Sequence, residues 1–332
     1  MRDCDITVVL PVFNAESTIR RSINSILHQT LRPSEVVVVD DGSTDQTVSE
    51  VNSINDGRVR LVAKSHEGVA AAANAAAKVA TSPLIARMDA DDYSHPTRLE
   101  KQWHLLQDNA LDAVGCQVQV TDVNGNASPT LDRYAKWINE ETLIGDQISA
   151  LRFVELPMVN PTILARREYF ELGFRDNGLP EDYDLMLRAA AAGMKFGKVA
   201  EVLFDWTDRP GRLTRTSDCF SPAAFARCRQ IHLLAGPLAN VDCVDLWGVG
   251  KTGKPWLLWL QQNGIRVRRA YDISPRKVGT IIHDVEVYHP DELQCDGTMI
   301  VIAVGAENAR RMIIPQLVEC GFQLGCDAWF VA

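Results

Sequence analysis

Apolar and polar positions follow a regular rhythm in two stretches of the chain, separated by a longer one in which no single period holds. Ile6-Thr7-Val8-Val9-Leu10 is a short apolar run closed by Pro11. It predicts a strand covered on both faces, which needs no polar alternation. Ile19, Ile23, Ile26 and Leu27 then recur at helical spacing, with Asn14 placed to cap the helix. Val36–Val39 is a β-branched run broken by Asp40-Asp41-Gly42-Ser43, and Thr44–Val51 predicts a second helix. Arg58–Val62 predicts a third strand, the alanine-rich Val69–Ala80 a third helix, and Leu84–Met88 a fourth strand that runs into Asp89-Ala90-Asp91-Asp92. Such alternation builds a parallel, doubly wound α/β sheet.

In such sheets ligands bind beyond the carboxyl ends of the strands. Here those ends carry Pro11-Val12-Phe13, Asp40-Asp41-Gly42 and the acidic run at 89–92, so three strands deliver polar or turn-forming groups to one edge. The middle of the chain is less regular. Pro96 opens a helix with Leu99, Trp103 and Leu106 on one face, Ala113–Val120 predicts a strand, and Asn124-Gly125 a turn. Residues 128–160 carry no clear period. Tyr183–Ala192 and Pro222–Leu234 predict helices, and Gly236-Pro237 marks a boundary. The β/α rhythm then restarts, with strands at Val241–Trp247, Ile265–Tyr271, Met299–Val304 and Ala328–Val331 and helices at Trp256–Gln262 and Asn308–Glu319. This predicts two domains, 1–235 and a smaller α/β domain over 240–332.

Composition narrows the picture. Hydrophobic residues make up 46% and charged residues 23% of the 332, so two cores can be buried. The net charge of -9 argues against a nucleic-acid partner, which calls for a basic surface. The eight cysteines form no CxxC pair, which excludes the common zinc spacings and fits a reducing compartment. No apolar run reaches the roughly 18–20 residues of a membrane span, and the N-terminus lacks the long apolar core of a signal peptide. The expectation is a cytoplasmic chain, or one peripheral at the inner face of the membrane.

Chemistry enters at the strand ends. Asp89 and Asp91 offer the oxygen ligands that Mn2+ or Mg2+ prefers beside phosphates and water, whereas Asp92 also suits the turn toward Pro96. The Asp40-Asp41-Gly42-Ser43 turn is equally scaffolding, with Ser43 or Thr44 as a cap, or a carboxylate for a base or ribose. Glu181-Asp182 precedes a helix, where the dipole favours an ionised carboxylate. That suits either helix capping or a general base.

Taken in order, Leu10-Pro11-Val12-Phe13-Asn14-Ala15, Val38-Val39-Asp40-Asp41-Gly42-Ser43-Thr44-Asp45, Gly68 with Ala73-Asn74, and Ala86-Arg87-Met88-Asp89-Ala90-Asp91-Asp92 resemble the family 2 inverting glycosyltransferases of GT-A fold. Pro161-Thr162-Ile163 with Arg166-Arg167, Glu181-Asp182-Tyr183-Asp184-Leu185 and Arg212-Leu213-Thr214-Arg215 continue the likeness to about residue 216. The resemblance implies a GT-A type, mainly parallel sheet and transfer of a sugar from a nucleoside diphosphate, UDP-sugar favoured, to a hydroxyl of a glycan or lipid-linked acceptor. It implies that Pro11, Phe13, Asn14 and Asp41 line the nucleotide site and that Asp89 and Asp91 hold sugar, ribose and metal, Asp91 directly. Asp182 matches the catalytic base with Glu181 in support, and Arg212 and Arg215 meet the diphosphate. One departure is Ala70–Ala73, where members often carry an arginine before the asparagine. Two other classes stay open: a sugar nucleotidyltransferase, though Pro11-Val12-Phe13-Asn14 stands where its Gly-rich loop belongs, and a noncatalytic nucleotide-binding assembly subunit.

In the second domain Gly248, Gly250 and Gly253 form GxGxxG between a strand and a helix, with Asp272 about twenty residues on, the context of a dinucleotide-binding fingerprint. A P-loop is excluded, because Pro255 replaces the required Ser or Thr. The domain resembles Rossmann-like modules appended to some sugar-modifying transferases. A bound nucleotide, packing, homo-oligomer formation and acceptor docking are all open roles.

Overall fold

The computed structural model describes residues 5–122, 129–142, 145–209, 211–306 and 308–332, so the turn expected at Asn124-Gly125 lies outside the described residues. In chain order the first elements are β1 (Ile6–Val12), α1 (Ile19–Leu27), β2 (Glu35–Asp40), α2 (Thr47–Asn52), β3 (Val59–Ala63), α3 (Val69–Val79), β4 (Leu84–Arg87) and β5 (Tyr93–Ser94). Then come α4 (Arg98–Asp108), β6 (Ala113–Asp122), α5 (Pro129–Glu140), α6 (Gly145–Leu151), β7 (Leu164–Arg166), α7 (Arg167–Glu171), α8 (Glu181–Ala191), β8 (Phe196–Asp208), α9 (Leu213–Thr216) and α10 (Pro222–Ala235). The last are β9 (Cys243–Trp247), α11 (Gly253–Gln262), β10 (Arg266–Tyr271), β11 (Ile281–Ile282), β12 (Val285–Tyr288), β13 (Ile300–Ile302), α12 (Ala309–Glu319) and β14 (Ala328–Phe330).

Two compact units result. The first runs to Gly145 and resumes over Met158–Cys228; the second takes Asp146–Pro157 and Arg229–Ala332. The expected division at 235–240 therefore differs from the observed one at two places. α10 is continuous across Cys228/Arg229, and residues 146–157 join the second unit through contacts remote in sequence. Phe153 meets Trp329 edge-on at 5.6 Å, Arg152 lies over the Trp329 ring at 4.5 Å, and the Arg229 guanidinium donates to the Val154 carbonyl.

The first unit holds an eight-stranded sheet ordered β3-β2-β1-β4-β7-β6-β8-β5. β1, β2, β3 and β4 run parallel, β7 is antiparallel to β4 and β6, and β8 runs parallel to β6. The apolar runs read as doubly covered strands are that: every residue of β1 is buried, and Val36–Val39 are wholly inaccessible. α3 packs on β1 and β2 through Ala72, Ala73, Ala76 and Ala77, whose small side chains let the helix lie close. Pairing of Val12 with Asp40 and of Val9 with Arg87 aligns three carboxyl ends at one edge.

Several elements escaped the periodicity. Residues 128–160 contain α5 and α6. The 13-residue β8 has a broken alternation, because its register against β6 shifts around Gln117 and Lys198 turns inward. The Lys198 ammonium donates to the Ile138 carbonyl and Thr142 Oγ1, both at 2.6 Å, at the end of α5. β8 matters because it delivers Asp208 and Arg209 to the site. Asn14 does not cap α1. It sits at φ +49°, while Thr18 precedes the helix without a side-chain cap. Ser43 and Thr44 likewise do not cap α2, which begins at Thr47.

The second unit carries a six-stranded sheet ordered β11-β12-β10-β9-β13-β14, parallel from β12 to β14, with β11 returning antiparallel. β9 has β10 on one side and β13 on the other, so the chain reverses its winding direction there. The turn after β9 is the switch point at which ligands of such sheets bind.

Candidate active site

The β1 and β2 ends are tied into one scaffold. Asn14 Oδ1 accepts the Thr44 N–H at 2.8 Å, and the Asn14 N–H donates to Ser43 Oγ at 2.9 Å. The Ala15 N–H donates to Thr47 Oγ1 at 2.7 Å. Asp41, buried, accepts the Glu67 and Gly68 N–H groups, each at 2.9 Å, and His66 Nδ1 lies 2.9 Å from the same carboxylate. The His66 ring stacks on Phe13 with centroids 4.2 Å apart. Phe13 is 44% exposed, so one face of the stacked pair is open to solvent. Sequence reasoning missed His66: it lies in an irregular stretch, and only the fold brings it over Phe13.

Asp89, Asp91 and Asp92 each offer an oxygen within 4.8 Å of the others. The Arg87 guanidinium lies 2.8 Å from Asp89 and donates to the Met88 carbonyl at 2.6 Å. Burial raises the Asp89 pKa against the attraction of Arg87, and the Asp91 charge adds to the rise. Asp92 is buried; Ser22 Oγ donates to its carbonyl at 2.7 Å and the Thr207 N–H to its Oδ1 at 2.8 Å, tying α1 to β8. Its Oδ2 is buried with no hydrogen-bond partner among the described residues. Burial, then the Asp91 and Asp89 charges, push its carboxyl well above the usual range. Such crowding of acidic oxygens, one of them orphaned, fits a divalent cation, which takes oxygen ligands at about 2.0–2.6 Å.

A third basic residue, Arg209, which the sequence reading did not single out, brings its Nε to 2.6 Å from Asp91. Arg215 donates to Asp208 at 2.7 Å. Arg212 lies 3.8 Å from the same buried carboxylate with its guanidinium 4.2 Å from the Trp206 ring centroid. Asp208 and Arg209 were absent from the sequence reading because they end and follow a strand whose pattern was itself unreadable.

Glu181 and Asp182 lie in the first turn of α8, not ahead of it, and the Tyr183 N–H donates to Asp182 Oδ1 at 2.7 Å. Burial pushes Glu181 up to about 8, with the Asp182 charge adding to it. Burial also raises Asp182, to about 6, against the Tyr183 N–H. Asp89 and Arg87 act on the charge of both residues, so the α8 pair and the β4 end share one electrostatic neighbourhood. Tyr169 of α7 feels Asp182 too, and its hydroxyl is buried with no hydrogen-bond partner among the described residues.

In the second unit Gly248 adopts φ +105°, and a Cβ on Gly253 would stand 1.8 Å from the Gly248 carbonyl oxygen. Both are required for α11 to pack against the strand ends. A Cβ on Gly250 would lie 3.5 Å from Lys277 Nζ. Asp272 accepts from the Val249 N–H at 3.2 Å, the Ser274 N–H at 2.9 Å and Lys277 Nζ at 2.7 Å. Against the pull of burial, these bonds hold its carboxyl below the usual range. Trp256 and Trp259 of α11 meet edge-on at 5.2 Å.

The first unit has the GT-A architecture. The crystal structure of S. aureus TarS 1–349 in complex with UDP-GlcNAc matches it with a TM-score of 0.57 at 22% identity, over 70% of this chain and 67% of that one. The mannosyltransferase PcManGT from Pyrobaculum calidifontis, in complex with GDP-Man and Mn2+, gives 0.51 at 22% identity over 71% and 70%. The chain itself belongs to glycosyl transferase family 2, whose model matches residues 7–174. The succinoglycan biosynthesis protein ExoU of Rhizobium meliloti (strain 1021) is 34% identical over 206 residues, 58% of this chain. The chain spans likewise 58% of the length of that relative. Residues 243–323 match the CoA binding domain model, in keeping with the Rossmann-like sheet of the second unit.

Proposed function

We propose that this chain is an inverting, metal-dependent glycosyltransferase. It moves a sugar from a nucleoside diphosphate, a UDP-sugar by preference, to a hydroxyl of a glycan or lipid-linked acceptor in surface polysaccharide or glycolipid synthesis. The observation that carries this reading is that carboxylates remote in sequence lie near enough to act on one another's charge: Asp89 and Arg87 both bear on Glu181 and Asp182. The solved relatives' UDP-GlcNAc, GDP-Man and Mn2+ support the donor class and the metal.

Asp89 and Asp91 would hold Mn2+ or Mg2+, and the ion, when bound, would supply positive charge for the departing diphosphate. Asp182, ionised near neutral pH, accepts the acceptor's hydroxyl proton. The acceptor oxygen bonds to the anomeric carbon from the face opposite the diphosphate, whose C–O bond breaks, so the configuration inverts. Glu181, holding its proton, keeps a second negative charge away from Asp182. Phe13, stacked on His66, forms the platform for the base, with Pro11 lining the same site. Asp41 and Asn14 act mainly through the loops they fasten. Arg212 and Arg215, gathered on Asp208, face the diphosphate as bidentate donors.

No described helix is long and apolar enough to cross a membrane; a cytoplasmic or peripheral location at the inner face is part of the proposal. The test is thermal unfolding of the full chain with a panel of UDP-, GDP-, CDP- and dTDP-sugars, with and without Mn2+. Binding to the native state raises the midpoint. One class should stabilise the chain, and only with the metal present. Stabilisation by none, or equally by all without metal, would sink the reading.

A further inference from the structure

Three carboxylates within 4.8 Å of one another repel unless cations stand among them. The chain supplies two of its own. Arg87 on Asp89 has a side chain only 3% exposed and a second anchor in the Met88 carbonyl. Arg209 on Asp91 is different in kind: its side chain is 35% exposed, and it extends from the end of β8 just beyond the carboxylate of Asp208, which gathers Arg212 and Arg215 but not Arg209. Its Nε stands 2.6 Å from Asp91 Oδ2. A divalent cation bound to that oxygen would sit about 2.0–2.6 Å from it. At that oxygen guanidinium and metal compete for one approach.

We propose that Arg209 is an exchangeable counter-ion for Asp91: it holds the carboxylate while no metal is bound, leaves when the cation arrives, and then takes the donor's diphosphate as its new partner. This rests on the metal-dependent reading above and deepens it. A guanidinium released beside a diphosphate gains the bidentate acceptor for which its geometry is suited. Metal alone must displace Arg209 into water, whereas metal with nucleotide gives it an anion. The two ligands therefore bind interdependently, and linkage requires the coupling to be the same from either side. Arg209 is thus a positioning residue that makes the acidic site selective for metal and diphosphate together.

The experiment is calorimetric titration of MnCl2 into the full chain, alone and with saturating UDP, with GDP run in parallel. Native protein is compared with R209Q and R21Q. Without nucleotide, R209Q should bind Mn2+ about tenfold more tightly than the native chain, a difference of about 1.4 kcal/mol. The factor by which UDP or GDP tightens Mn2+ should fall about tenfold in the same variant. R21Q removes an equal charge that lies 4.0 Å from Asp205 and over the Tyr93 ring, and should leave Mn2+ binding without nucleotide within about threefold of native. Unchanged Mn2+ affinity in R209Q overturns the exchange, and equal tightening in R209Q and R21Q overturns it in favour of a general field effect. Failure of the underlying reading looks different. Then no chain binds Mn2+ even with nucleotide, while nucleotide sugars still stabilise the native chain without metal, and both proposals fall together.

Discussion

Both units place a carboxylate at the carboxyl end of a parallel strand beside a tight turn, and they satisfy it in opposite ways. Asp272 in the second unit receives two backbone N–H groups and the Lys277 ammonium, and these hold its carboxyl below the usual range. At the end of β4, Asp89, Asp91 and Asp92 crowd together, Asp92 Oδ2 has no hydrogen-bond partner among the described residues, and burial raises Asp89 and Asp92. A polar cluster complete in itself stabilises a fold. One left short of positive charge is costly unless a ligand completes it. The first edge is thus left short of partners among the described residues, and Asp272 at the second is supplied with them, although the second carries the more familiar fingerprint.

The largest expected effect comes from Asp91→Ala, which should abolish metal-dependent donor binding; calorimetric affinity for the donor with Mn2+ equal to native would contradict the ligand assignment. Next, Asp182→Asn should retain donor binding and lose transfer by about 10²-fold or more, the scale of a positioned base. Near-native turnover would remove Asp182 from that role.

The pH profile sharpens the same point. Because the base acts when ionised, the transfer rate should climb as pH rises through about 6, the Asp182 value. Stability should move the other way. Both α8 carboxyls have folded pKa values raised above the unfolded ones, so the native state holds protons that the unfolded chain has lost. Their contribution is fully present below the ordinary carboxylate range and is lost as pH rises through about 6 and about 8. Glu181→Gln should flatten the alkaline part of that decline in a series of melting curves. An unchanged slope would show that Glu181 is already ionised at neutral pH.

For the second unit, Gly253→Ala forces a Cβ against the Gly248 carbonyl and should cost about 1–3 kcal/mol or more in chemical denaturation of the full chain. An unaltered midpoint would show that α11 is free to move away. The smallest effect concerns its ligands. CoA, NAD and ATP should each shift the melting midpoint by no more than about 1 °C, less than about 1 kcal/mol of binding would give. A larger shift would mean that Lys277 yields Asp272 to a nucleotide, and the contrast between the two edges would dissolve.

Much of the first unit was legible from local patterning. The runs at 6–10 and 36–39 and the stripe from Ile19 to Leu27 announce their elements because burial of each depends on its own side chains and on any apolar neighbour. The acidic run after β4 and the pair opening α8 could be singled out in the same way, since strand ends and helix starts are local events. Other features depend on partners far along the chain. Arg209 meets Asp91 only because β8 runs beside β6 and ends at the right depth, a register set by an irregularity that erases the strand's own alternation. His66 reaches Phe13 only because Asp41 draws its loop inward. Residues 146–157 leave the unit that flanks them in sequence because Phe153 and Arg152 find Trp329. Hydrophobic burial is indifferent to the identity of its neighbour, so sequence alone determined the layers and the edge where chemistry collects. Ion pairs and ring contacts demand one partner at one distance, so which charges face one another was decided only by the tertiary structure.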